Sequence, residues 1–230
     1  MIENKKDLTG PSVVIFDLDG TLVEFHRDYL FAETMKILDR LNHPPVEIEL
    51  LQSSFAAFDY FRFVIDPDPD DFISRFWSHF DWDNFPSAQP IQQARDVLIR
   101  LREAGIETAV ATARLGTAEK VRDDLSASGL LDFISIIVSR EDEAIHWTDK
   151  RLHIERICSY FGVGPEETAM VGDIPADITS ARAAGVGIVV AVESGGIDPA
   201  VLAAHRPDHL LPDISTLLAV LYPGLYPGQW

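Results

Sequence analysis

Val13-Val-Ile-Phe-Asp-Leu-Asp-Gly-Thr21 is the stretch on which the reading of this chain turns. Val13 to Phe16 form a short apolar run of the kind that makes a buried parallel strand, and two carboxylates follow at its carboxyl end. Ligands of open α/β sheets bind beyond that end of the strands. Alternation puts Asp17 and Asp19 on the same side, close enough to repel unless a cation or a shared proton intervenes. Gly20 then permits a tight turn away. The same letters admit a plainer reading, with Asp19-Gly20 a simple turn and Asp17 a strand-end cap.

Working outward, further β-branched runs at Thr108 to Ala111, Ile134 to Val138, Ala169 to Val171 and Ile188 to Val190 read as companion strands. Between them lie helical patterns: Ile91, Ala94, Val97 and Leu101 are spaced by three and four, and Ala118 to Leu125 and Leu152 to Phe161 behave similarly. Alternating strands and helices predict a doubly wound, Rossmann-like α/β fold with a parallel sheet. Residues 23–89 break the alternation. They carry helical stripes such as Phe31, Met35, Leu38 and Leu41, then aromatic-rich stretches, and read as an inserted all-helical domain. Breaks at Asn42-His-Pro-Pro45, Asp66-Pro-Asp-Pro-Asp-Asp71 and Asp81-Trp-Asp-Asn-Phe-Pro86 predict roughly four helices there. The α/β core then comprises residues 1–22 and 90–230.

The chain has 230 residues, 47% of them hydrophobic, which is enough for a full core with a small insert. Asp and Glu outnumber Lys and Arg by 37 to 19, a formal charge of -18. That balance argues against a nucleic-acid backbone or an anionic membrane as partner, and most of it reads as solvated surface. A single cysteine, Cys158, excludes an intrachain disulfide and falls in a helical stripe, so it reads as a buried structural thiol. The amino-terminal Met1 to Asp7 lacks a signal-peptide pattern, and no run approaches a membrane span, so a cytoplasmic location is expected. The Leu-Tyr-Pro-Gly repeat at Leu221 to Gly224 and Leu225 to Gly228 is too short for a solenoid and reads as a surface or disordered tail.

Asp17-Leu-Asp-Gly-Thr-Leu22 after an apolar strand resembles the first motif of the haloacid dehalogenase superfamily of phosphohydrolases. Later segments resemble the other family motifs, in order. Thr112 ends an apolar run, where the family places a hydroxyl on the phosphoryl group. Lys150 precedes a helical pattern, 23 residues ahead of Asp173, where the family places a lysine that neutralises phosphate and nucleophile. Met170-Val-Gly-Asp-Ile-Pro-Ala-Asp177 matches the acidic fourth motif, although alone it could cap a helix near Asp177. The resemblance covers residues 12 to about 218.

The resemblance implies a phosphatase that works through an aspartyl-phosphate. Asp17 is then the nucleophile, and Asp19 the acid and later the base. Asp17, the Asp19 carbonyl and Asp173 are the ligands of a magnesium ion, with Asp177 orienting its water. All-oxygen ligands beside phosphate suit Mg2+. Thr112, Ala113, Arg114 and Lys150 would line the phosphate side of a small phosphate ester. Asp19 also speaks against dehalogenation, because the dehalogenases of the superfamily lack it. Two positions depart from the family pattern: Lys150 is followed by Arg151 instead of proline, and Thr112 by Ala113-Arg114. Arg114 reads either as a clamp on a second anionic group of the substrate or as a solvent-exposed helix-start residue.

By the same resemblance, the insert of about 65 residues is a cap that closes over the site and selects the leaving group. His26, Arg27 and Arg62 are cap residues that could reach a substrate. Phe55, Phe58, Tyr60, Phe61 and Phe63 read as the core of the helical bundle. Two rivals stay open, a phosphoryl transferase or mutase of the same family and a weakly catalytic regulatory protein on the same scaffold. Phosphoglycolate, a nucleoside monophosphate, a sugar phosphate and pyrophosphate are all small enough to be substrates. A monomer or weak homodimer is expected.

Overall fold

The computed structural model describes residues 10–81, 84–87, 89–114, 117–140 and 149–223. The apolar runs form one parallel sheet of β1 (Val13–Phe16), β2 (Glu107–Ala111), β3 (Ile136–Val138), β4 (Thr168–Gly172), β5 (Ile188–Val192) and β6 (His209–Leu211). The helices are α1 (Arg27–Arg40), α2 (Ile48–Ala56), α3 (Pro69–His79), α4 (Ala94–Glu103), α5 (Ala118–Ala127), α6 (Arg151–Phe161), α7 (Pro175–Ala184), α8 (Pro199–Ala204) and α9 (Leu217–Leu221).

The strand order is β3-β2-β1-β4-β5-β6. The chain therefore steps outward from β1 on one side, then returns to β4 on the other, and β1 and β4 flank the switch point where a crevice opens. Every residue of β1 and β4 is buried, which parallel strands covered by crossover helices require. Register does the rest. Phe16 lies opposite Val110 of β2 and Val171 of β4, so Asp17, Thr112 and Asp173 all leave the sheet at one edge.

The fold class is the doubly wound α/β arrangement read from the sequence. Two details differ. β6 and the two short helices around it escape a pattern search, because His209-Leu-Leu211 is a three-residue edge strand with one polar member. The third strand starts at Ile136 and not Ile134, since Ile134 ends the 3-10 turn over Leu131–Phe133.

The chain divides into two compact units, one made of Met1–Phe25 with Ala88–Trp230 and the other of His26–Ser87. The junction is a paired crossing within the first unit. Ile91 N–H donates to the Leu22 carbonyl at 2.9 Å, and Glu24 N–H to that of Gln89 at 2.8 Å.

The second unit contains α1, α2 and α3, three helices among the described residues where four were expected. The breaks are real, but the chain beyond α2 runs as turns through Phe58, which has φ 53°, and the chain from Phe85 to Ser87 has no regular secondary structure. α3 begins as its sequence dictates, with Pro69 at its first position and Asp68 accepting from the Asp71 N–H at 3.1 Å. The aromatics pack on one another as a core. Phe61 meets Phe76 edge to face at 5.1 Å, and Tyr60 meets Phe61 at 5.0 Å. Arg27 and Arg62 are exposed, and the Arg62 guanidinium donates to Ser53 Oγ.

Cys158 is buried on α6. In the first copy of the repeat, Tyr222 is buried and donates its hydroxyl to the Pro11 carbonyl at 2.7 Å. The second copy and the amino-terminal Met1 to Asp7 lie outside the described residues. No helix among those described is long and apolar enough to cross a membrane.

Candidate active site

The backbone of β1 continues into Asp17, whose N–H donates to the Val171 carbonyl at 2.8 Å, so this carboxylate is placed by the sheet itself. Asp173 follows β4 in the same way. Asp177 sits in the first turn of α7, where one oxygen accepts from the Ile174 N–H at 3.2 Å. It thus caps its helix, as the plainer reading allowed, and its other oxygen turns to the site. Lys150 immediately precedes α6 and is anchored through its own N–H, which donates to Ser180 Oγ at 2.8 Å.

These groups converge. Asp17, Asp173 and Asp177 each offer an oxygen within 4.8 Å of the others, and all three are buried. Lys150 Nζ lies 2.6 Å from Asp17 Oδ1 and 2.7 Å from Asp177 Oδ1. Thr21 donates its hydroxyl to Asp173 Oδ1 at 3.1 Å.

The electrostatics follow from burial. Loss of water raises the Asp17 pKa to about 7, with Lys150 opposing and Asp177 and Asp19 adding to the rise. Burial likewise pushes Asp173 well above the ordinary carboxylate range, helped by Asp17 and then Asp177. For Lys150 burial disfavours the charge, but Asp17 and Asp177 outweigh it and hold the ammonium above its usual value.

One ammonium against three carboxylates leaves a deficit of two positive charges. Dehydrated carboxylates so close together suit a divalent cation with hard oxygen ligands. Two glycines make room for them. Gly20 has φ 78°, the left-handed conformation its turn requires, and a Cβ on Gly20 or on Gly195 would overlap the Asp173 carboxylate. Ser194 ties the two loops together, its hydroxyl donating to the Gly20 carbonyl at 2.5 Å.

Asp19 stands apart from this trio. Arg114 Nε donates to Asp19 Oδ2 at 2.7 Å, one terminal nitrogen pairs with Asp19 Oδ1, and the other pairs with Asp124 on α5. Burial disfavours this guanidinium too, yet Asp19 and then Asp124 push its pKa up. Thr112 is buried at the end of β2, its N–H donating to the Val138 carbonyl at 3.0 Å, and its hydroxyl oxygen accepts from the Arg114 N–H at 3.1 Å. Ala113, between them, is half-buried.

Of the residues singled out from sequence, the structure therefore gathers Asp17, Lys150, Asp173 and Asp177 into one cluster. It gives Asp19 and Arg114 to each other, and Arg151 is exposed. Sequence reasoning missed Thr21, Ser180, Gly195 and Asp124. Gly195 had a signal available, since Ser194-Gly-Gly196 follows a strand at the same sheet edge. For Asp124 nothing in its spacing from Arg114 points to a pair.

Residues 14–191 match the haloacid dehalogenase-like hydrolase family. Pyrophosphatase PpaX of Bacillus pumilus is 27% identical over 219 residues, covering 91% of this chain and 96% of that protein. A phosphoglycolate phosphatase of Rhodospirillum rubrum is 30% identical over 197 residues, covering 78% of this chain and 79% of that protein. A haloacid dehalogenase-like family hydrolase from Streptococcus pneumoniae has a similar fold, with TM-score 0.72 at 20% identity over 90% of this chain and 97% of that one. The matched span runs from β1 into β5 and encloses Asp17, Thr112, Lys150, Asp173 and Asp177. The chain belongs to the haloacid dehalogenase-like hydrolase family.

Proposed function

We propose that this protein hydrolyses a small phosphate monoester through a covalent phosphoryl intermediate on Asp17. The observation that carries the reading is the buried contact of Asp17 with Lys150 beside Asp173 and Asp177, at the sheet edge where α/β folds bind ligands.

A phosphate dianion repels a carboxylate, so the site must be electropositive enough for attack. Lys150 supplies one charge next to the attacking oxygen. A magnesium ion held by the Asp17 and Asp173 carboxylates and the Asp19 carbonyl, with Asp177 behind, would offset the remaining negative charge and keep Asp17 ionised. Thr112 retains its hydroxyl hydrogen for a phosphoryl oxygen, because its oxygen already accepts from Arg114.

Asp17 attacks phosphorus in line, the Asp17 O–P bond forms and the ester P–O bond breaks. Asp19 passes a proton to the departing oxygen. It then takes one from the water that attacks the phosphorus of the intermediate, and inorganic phosphate leaves with Asp17 restored.

We assign the His26–Ser87 unit the role of a cap that selects the leaving group. The names of the relatives make phosphoglycolate and pyrophosphate the first substrates to offer. The charge of -18 favours a protein acting on small molecules over one acting on nucleic acid. Purified protein should release phosphate from an aryl phosphate with magnesium and not with a chelator, and Asp17→Asn should abolish release while keeping the fold. Undiminished activity in Asp17→Asn would sink the mechanism.

A further inference from the structure

We propose that Arg114 is a positioning residue that aims the Asp19 carboxylate, with Asp124 as the anchor that aims Arg114 in turn. The inference rests on the reading of Asp19 as the group that exchanges a proton with the leaving oxygen.

Arg114 meets Asp19 fork to fork, with Nε on Oδ2 at 2.7 Å and a terminal nitrogen on Oδ1. Two parallel bonds from a planar guanidinium fix the plane of a carboxylate, where a single ammonium contact would leave it free to rotate. They occupy one acceptor position on each oxygen and leave the outer positions open. The other terminal nitrogen is spent on Asp124, which is buried on α5. The side chains of Arg114, Asp19 and Asp124 are only 6%, 17% and 6% exposed, so water competes weakly for these bonds.

Both supports are anchored by hydrogen bonds. The Arg114 backbone is tied to the end of β2 through Thr112 Oγ1, and α5 is capped by Thr117, which accepts from the Lys120 N–H at 3.2 Å. The turn that carries Asp19 does not need the ion pair to close. Leu22 N–H and Val23 N–H both donate to the Leu18 carbonyl, at 2.9 and 3.0 Å, and Gly20 takes the positive φ. The pair is thus surplus to folding the loop but sufficient to orient its carboxylate. It also commits all three guanidinium nitrogens of Arg114 to protein carboxylates.

The test uses the full chain and two variants. Arg114→Lys keeps the charge without the fork. Arg114→Met combined with Asp124→Leu removes the pair without leaving Asp124 buried and alone. Each is compared with wild type and with Asp19→Asn for kcat/KM on an alkyl phosphate and on p-nitrophenyl phosphate, after thermal melts show that it folds. An alkoxide needs a proton to leave and a nitrophenolate does not, so both variants should lose about 100-fold on the alkyl ester and less than about fivefold on the aryl ester, the same pattern expected of Asp19→Asn. Equal losses on the two esters would mean that Arg114 supports the fold only, and no loss on the alkyl ester would mean that it positions nothing. A folded wild type that releases phosphate from neither ester would remove the hydrolase reading, and this inference with it.

Discussion

The α/β unit and the helical unit bury their polar groups in opposite ways. In the α/β unit, Asp17, Lys150, Asp173 and Asp177 are all buried and are brought together from three segments of the chain, with Lys150 pairing with Asp17 and Asp177 and Thr21 donating to Asp173. In the helical unit the buried polar residues bond mostly within a turn, with the contact of Thr34 and the Tyr60 hydroxyl as a longer-range addition. Thr34 donates to the Leu30 carbonyl at 2.7 Å, Ser54 to that of Leu50 at 2.6 Å, and Glu33 pairs with Lys36. Its packing is instead a set of edge-to-face ring contacts in which half-buried Phe61 and Trp77 surround the buried Phe76. Charges that must sit within bonding distance of each other need a backbone pinned by a sheet ladder. Ring edges and faces pack in many near-equivalent ways and leave the surrounding surface free to vary. That contrast is what the proposed division into a catalytic unit and a cap would require.

The contrast breaks most sharply if charge can be removed from the first unit at no cost. Lys150→Met leaves Asp17 and Asp177 buried without their shared cation, and phosphate release should fall about 1,000-fold. A loss below tenfold, read as kcat/KM on an aryl phosphate, would show that the lysine is not part of the attack. For the second unit the damage should be to stability and not to charge. Phe76→Ala opens a cavity among the rings and should cost about 3–5 kcal/mol in denaturant melts that follow the tryptophans, with Asp17 chemistry retained in whatever fraction stays folded.

A finer probe is Gly195→Ala, where the added methyl must push the Asp173 carboxylate away. Magnesium affinity, measured by calorimetry on protein that melts cooperatively, should drop about 10- to 100-fold. Unchanged affinity would mean that Asp173 does not hold the cation. The smallest effect concerns pH. Burial raises Asp17 from 3.8 to about 7, so without a cation the folded state favours the protonated acid. The resulting penalty on folding is absent below about pH 4, grows up to about pH 7 and is complete above it. Magnesium cancels that penalty, so it should raise the melting temperature by several degrees more at pH 8 than at pH 5. Equal shifts at both values would place the metal away from Asp17.

The strand cores and the acidic clusters were legible because each is local. Val13 to Phe16 announces a buried strand by composition alone, and Asp17 and Asp173 stand directly after such strands. The helix count of the insert was not, since proline breaks mark where helices stop but do not say whether the next segment, such as Phe85 to Ser87, winds again or stays irregular. β6 was missed for a related reason: a three-residue edge strand carries too few side chains to show a period.

By itself the sequence determined the alternation of strands and helices and the identity of the nucleophile candidate, because hydrophobic period and strand-end carboxylates are properties of neighbouring residues. Only the tertiary structure decided which partners those residues have. Lys150 bridges Asp17 and Asp177, Gly195 makes room for Asp173, and Arg114 turns from solvent or substrate to Asp19 and Asp124. The physical reason is that burial sets the cost of an unpaired charge, and burial is decided by the packing of elements far apart in the chain.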